Sequence, residues 1–123
     1  MSLGLGVDAL DISRFEYYLI HIPKFSDRAF SDRERCLSHR QLAGNFSAKE
    51  AFIKACPRNI LATVSSVEFL RDETGKPISV VWNENGKPIQ SLKVHVSLTN
   101  LNNLVISTVL IETLNEEKPA SET

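Results

Sequence analysis

The chain is predicted to fold as one α+β domain, a mainly antiparallel sheet packed by a long central helix. Three observations carry that expectation. Residues 41–55 hold a helix-period apolar pattern that stops before Pro57. Beyond Pro57 the pattern changes to short alternating runs rich in β-branched residues. The chain opens on a glycine-flanked apolar run, Leu3 to Val7, which ends in Asp8.

Taken in order, residues 3–7 read as a short buried strand that delivers the Asp8 carboxylate at its C-terminal end. Asp11 or Ser13 then caps a helix that reaches about Ile20 and stops before Pro23. That helix carries Arg14, Tyr17 and Tyr18. Ser31 and Glu34, three apart, make a capping-box pattern that starts a short helix at Asp32. The main helix over 41–55 must end before Pro57, whose ring disfavours a helical conformation at the preceding residue. Residues 67–71 and 78–82 flank Asp72-Glu73-Thr74-Gly75, which is turn chemistry, so an antiparallel pair is expected. Residues 93–99 and 105–112 supply two further β-rich runs separated by Asn100-Leu101-Asn102-Asn103. Residues 1–114 are read as a single domain, and the polar stretch 115–123 as a mobile tail.

At 123 residues, 42% of them hydrophobic, such a domain buries roughly two thirds of its unfolded surface and can build an ordinary core. A formal charge of −1 supplies no electrostatic footprint for nucleic acid. No apolar run approaches the ~20 residues needed to span a bilayer, and the start lacks the basic and apolar regions of a secretory signal, so a cytoplasmic chain is expected. Cys36 and Cys56 have neither C-x-x-C spacing nor neighbouring histidines, and read as reduced thiols rather than a disulfide or zinc site.

The chemistry-bearing residues lie on the first strand and the main helix. Glu50 and Lys54 stand one helical turn apart, and an isolated surface pair of that kind contributes only about 0.3–0.5 kcal/mol. Asp8 changes the reading. A carboxylate from the strand and one from the helix can converge on a hard divalent cation, and Mg²⁺ takes one or two carboxylates plus water and phosphate. Lys49 reads as a surface or phosphate-facing amine, and Asp11 as a helix cap. Gly4 and Gly6 form too little of a nucleotide fingerprint and read instead as allowing close backbone packing beside the site.

Gly6, Asp8 and Arg14 match a G-x-D-x-x-x-x-x-R pattern, and residues 46–55 match F-[SA]-x-K-E-A-x-x-K-A without a gap. With Gly75-Lys76-Pro77 and His95-Val96-Ser97-Leu98-Thr99, these segments resemble the holo-acyl-carrier-protein synthases, the short bacterial type of 4′-phosphopantetheinyl transferase. The resemblance spans about residues 3–112. It implies a 4′-phosphopantetheinyl transferase-like fold that moves the 4′-phosphopantetheine arm of coenzyme A, its co-substrate, onto a serine of apo acyl carrier protein with Mg²⁺, releasing adenosine 3′,5′-bisphosphate. It further implies Asp8 and Glu50 as metal ligands and Lys54 on the reacting phosphate, with Glu50 or an ordered water taking the serine proton. Asn45, Lys54, Ser97, Thr99 and Asn100 would touch coenzyme A. Arg14, helped by Lys24, Arg28 and Tyr17 or Tyr18, would dock the acidic carrier. A homotrimer with active sites at subunit boundaries is expected, both by resemblance and because an open sheet gains by covering its face.

Two departures bear on specificity. Asn45 and Asn100 stand where the family has an arginine and a histidine that hold the 3′-phosphate of coenzyme A. Neutral amides cannot supply charge-assisted bonds, so recognition of that phosphate is expected to be weak unless Arg58 or a neighbouring subunit's lysine compensates. The same departures leave a second reading, a catalytically weakened module that binds carrier protein or coenzyme A.

Overall fold

The computed structural model describes residues 2–58, 60, 62–82 and 85–114. The expected mobile tail over 115–123 lies outside the described residues. In order, the elements are β1 (Ser2–Asp11), α1 (Ile12–His21), α2 (Phe25–Ala29), α3 (His39–Ala55), β2 (Val67–Arg71), β3 (Pro77–Val81), β4 (Leu92–Leu101) and β5 (Leu104–Thr113). Short 3₁₀ turns occur at Glu34–Cys36 and Val64–Ser66. The long strands form an antiparallel sheet ordered β1-β5-β4, and β2 pairs with β3 in a separate hairpin.

β1 is ten residues long, so Asp8 sits inside the strand rather than at its end. Nor is the strand buried on both sides. Leu3, Leu5 and Val7 face outward and are exposed, while Gly4, Gly6 and Asp8 turn toward α3. The glycines permit that contact: a Cβ on Gly4 or Gly6 would land on the carbonyl oxygen of Ala55 or Ala51. Two strand residues advance about 6.8 Å and four helix residues about 6.0 Å. The antiparallel pair therefore stays in step, with Gly4 beside Ala55, Gly6 beside Ala51 and Asp8 beside Ser47.

α3 is buried over most of its circumference, as a helix between two layers must be. Ala51, Phe52 and Ala55 pack with Val67 and Phe69 of the hairpin and with Val109 and Ile111 of β5. A second core gathers Phe15, Phe30, Leu42, Ala43 and Val105, edged by Phe25 and Phe46. Phe15 and Phe46 lie 5.6 Å apart between ring centres.

Several boundaries differ from the sequence expectation for local reasons. α3 starts at His39, two residues early, on a Ser38–Gln41 capping box. The Ser31–Glu34 box does form, with backbone-to-side-chain bonds of 3.1 and 3.2 Å. Only a 3₁₀ turn follows it, because the Glu34 carboxylate is also drawn into the core. The β4–β5 turn shrinks to Asn102-Asn103, with Asn102 at φ 55°, which leaves Asn100 inside β4. Asn103 then ties this turn to the start of α1, accepting from Ser13 and donating to the capping Asp11.

Candidate active site

Where β1 passes α3, the structure brings Asp8, Glu50 and Lys54 together. Asp8 Oδ2 accepts from Ser47 Oγ at 3.0 Å, and Oδ1 accepts from Lys54 Nζ at 3.3 Å. Lys54 also donates to the Val7 carbonyl at 3.0 Å. Ser47 lies 2.7 Å from Ser107 of β5, both hydroxyls being fully buried. Burial pushes the Glu50 carboxyl above the ordinary carboxylate range; the charge of Asp8 adds to the shift, and that of Lys54 opposes it.

Two carboxylates close enough for the charge of Asp8 to disfavour ionisation of Glu50 suit a divalent cation. Both are hard oxygen donors, and among the described residues there is no cluster of three or more His, Cys, Asp or Glu to complete an all-protein cage. That donor set fits Mg²⁺, which keeps waters and takes phosphate oxygens beside one or two carboxylates.

A cleft of about 810 Å³ opens near the start of α3, lined by Arg40, Gly44, Arg71, Lys76, Ser97 and Asn100 among others. The β2–β3 turn sets one wall. Asp72 Oδ1 accepts from the backbone of Thr74 and Lys76, Gly75 takes φ 87°, and Lys76 is carried to the cleft. Arg71 is a sparsely bonded cation there. Burial lowers its pKa against the pull of Glu34, and among the described residues its guanidinium makes one hydrogen bond, 3.3 Å to the Leu70 carbonyl, and no ion pair.

The residues expected to touch coenzyme A are not gathered in one place. Asn100 shares the inner face of β4 with Val96 and Leu98, and Ser97 lines the cleft. Thr99 pairs with Ile106 and points to the outer face of the sheet. Lys54 lies by β1, at the opposite edge of the sheet from β4. Asn45 does not line the cleft: it is fully buried, donates to Glu34 at 3.0 Å and to the Phe69 carbonyl at 2.6 Å, and leaves its Oδ1 without a partner. Arg58 follows the far end of α3 and is exposed; the cations lining the cleft are Arg40, Arg71 and Lys76.

The surface reading of Lys49 is overturned, since this side chain is 1% exposed. It donates to Glu34 at 2.7 Å and to the carbonyls of Val64 and Val67, and burial lowers its pKa against the charge of Glu34. Asp11 is the cap of α1, accepting from Arg14 N at 3.1 Å. Arg14 is exposed on α1, 2.6 Å from the Tyr18 hydroxyl and over its ring. Sequence reasoning assigned no role to Ser47 or Arg71. Ser47 stands inside the matched helix motif, but nothing in sequence signals its partner sixty residues later.

Residues 4–109 match a family described as the 4′-phosphopantetheinyl transferase superfamily. The chain is 34% identical over 125 residues to the holo-[acyl-carrier-protein] synthase of Geobacillus sp. (strain WCH70), covering 94% of this chain and all of that one. It is 36% identical over 125 residues to that of Bacillus pumilus (strain SAFR-032), with 94% and 99% covered. It also superimposes with a TM-score of 0.69 on a holo-(acyl-carrier-protein) synthase from Bacillus anthracis in complex with CoA (3′,5′-ADP). That structure is 26% identical, over 89% of this chain and 96% of the other.

Proposed function

The chain belongs to the 4′-phosphopantetheinyl transferase superfamily, and from that premise we propose that it transfers 4′-phosphopantetheine from coenzyme A to a serine of apo acyl carrier protein. The leaving product is adenosine 3′,5′-bisphosphate, and residues 1–114 carry the activity. The observation behind this reading is the convergence of Asp8, Glu50 and Lys54 where β1 meets α3.

The reaction breaks a pyrophosphate bond, so the site must offset negative charge, align the serine and accept its proton. Asp8 and Glu50 would hold Mg²⁺, which when bound neutralises the pyrophosphate and polarises the reacting phosphorus. Lys54, 55% exposed and held only by an aspartate oxygen and a carbonyl, can swing to the phosphate as charge grows on the departing oxygen. Glu50, its proton affinity raised by burial, is one acceptor for the serine proton and an ordered water the other. Arg71, Arg40 and Lys76 give the cleft the charge that Asn45 and Asn100 lack, and Arg71 replaces Arg58 as the residue to hold the 3′-phosphate.

We assign Ser97, Thr99 and Asn100 to the coenzyme of an adjoining copy's site. β1 and β4 are opposite edges of one sheet, so a ligand touching both is served where β4 of one copy meets β1 of the next. The outer sheet face supports this, because Leu5 is 70% exposed, Leu101 68% and Leu3 64%, an apolar surface that invites covering. A homotrimer is the proposed assembly. Arg14, with the exposed Tyr17 and Ile20 beside it on α1, is the proposed carrier contact, and the cytoplasm the proposed setting.

The test is a mass measurement. Apo acyl carrier protein incubated with coenzyme A, Mg²⁺ and this protein is expected to gain one phosphopantetheine. Coenzyme A binding without any gain, across metals and carriers, would favour the non-catalytic module.

A further inference from the structure

Ser47 and Ser107 are both 0% exposed, lie 2.7 Å apart and sit on different elements, α3 and β5. Two hydroxyls so placed need a polar purpose, since burying one without a partner is unfavourable. The direction of their bonds follows from the proton count. Ser47 donates to Asp8 Oδ2 at 3.0 Å, which spends its single proton. Ser107 must therefore donate to Ser47. The two oxygens of Asp8 are thereby made unequal: Oδ2 is tied to a buried chain rooted in β5, whereas Oδ1 faces Lys54, a flexible and exposed side chain.

We infer that Ser47, backed by Ser107, is a positioning residue that fixes the Asp8 carboxylate so that Oδ1 is presented to a divalent cation. The inference rests on the metal pair of the proposed function and extends it to two residues outside that pair. A carboxylate on a strand can rotate about its Cβ–Cγ bond. Anchoring one oxygen removes that freedom before the ion arrives, and polarisation along the hydroxyl chain strengthens the anchor. Lys54 Nζ lies 3.3 Å from Oδ1 and would have to release it for an ion to bind there.

The test is Mn²⁺ titration, read by loss of the free-ion electron paramagnetic resonance signal at fixed coenzyme A, with a protein-free blank. It is run on the full chain and on Ser47→Ala, Ser107→Ala and the double variant, each with its melting temperature. Loss of an outer-shell partner typically weakens metal binding about ten- to a hundredfold. Ser47→Ala and the double variant are expected to fall in that range equally. Ser107→Ala, which keeps the bond to Asp8, should lose less.

Stability should follow a different order. Ser47→Ala strands the Ser107 hydroxyl and melts lower, while the double variant removes both hydroxyls and recovers. At saturating Mn²⁺ the kcat of Ser47→Ala should return to near normal, with the defect confined to the KM for metal. Unchanged Mn²⁺ affinity in Ser47→Ala, or affinity that recovers with melting temperature in the double variant, would overturn the positioning role while leaving the metal pair standing. No Mn²⁺ binding by the unmodified protein would overturn the metal pair and this inference together.

Discussion

Glu50 is a residue whose charged form the fold disfavours, because burial and the neighbouring Asp8 raise its pKa. The sign of the consequence is fixed. A carboxyl with a raised folded pKa contributes stability while protonated and loses it as pH rises through that pKa. Glu50→Gln is therefore expected to melt higher than the unmodified protein at neutral pH, with the gain vanishing in acid. The same variant, like Asp8→Asn, should lose most turnover; near-normal rates in either would remove the metal assignment. In the unmodified protein the acid limb of kcat/KM should stand above the ordinary glutamate range. A second residue-scale expectation concerns the cleft. Arg71→Ala should reduce kcat/KM for coenzyme A about tenfold, as befits losing a charged hydrogen bond, and leave dephospho-coenzyme A almost unaffected. Equal losses on both substrates would mean that Arg71 does not select the 3′-phosphate.

At the scale of elements, the β1–α3 contact is the piece of architecture on which the site depends. Gly6→Ala drives a methyl group into the Ala51 carbonyl, and neither backbone can yield without separating strand from helix. A loss of about 3 kcal/mol or more is expected in denaturant unfolding, in line with overpacked cores. Lys49→Met should be comparably severe, about 3–5 kcal/mol, since it leaves the Glu34 carboxylate buried and unpaired. Much of this layout was legible beforehand. The 3.6-residue pattern before Pro57 and the alternation after it gave α3 and the four later strands within two or three residues. Asp8, Glu50 and Lys54 were legible because each lies in a short, dense motif. What escaped was non-local. Glu34 looked like half of a capping box, and only the folded chain could show that its carboxylate also serves Lys49, Asn45 and the Phe69 amide. Asn45 escaped for the same reason, having been drawn to that buried carboxylate and away from the cleft.

For the whole molecule, the exposed apolar outer face of the sheet is the feature on which the proposed assembly rests. Light scattering at micromolar concentration is expected to give three times the chain mass. Leu5→Glu, which puts a charge at the most exposed point of β1's apolar row, should reduce that mass to one chain and abolish transfer without unfolding the protein. A monomeric mass for the unmodified protein, with activity retained, would contradict the assembly. The alternation of β1 has one further consequence. Because Leu3, Leu5 and Val7 face outward while Gly4, Gly6 and Asp8 face α3, in the proposed assembly a single strand would carry both the glue and the acid. Dilution would then act as an off-switch: below the concentration at which copies part, specific activity should drop faster than protein amount. A cell making half as much of this chain would retain less than half of its output.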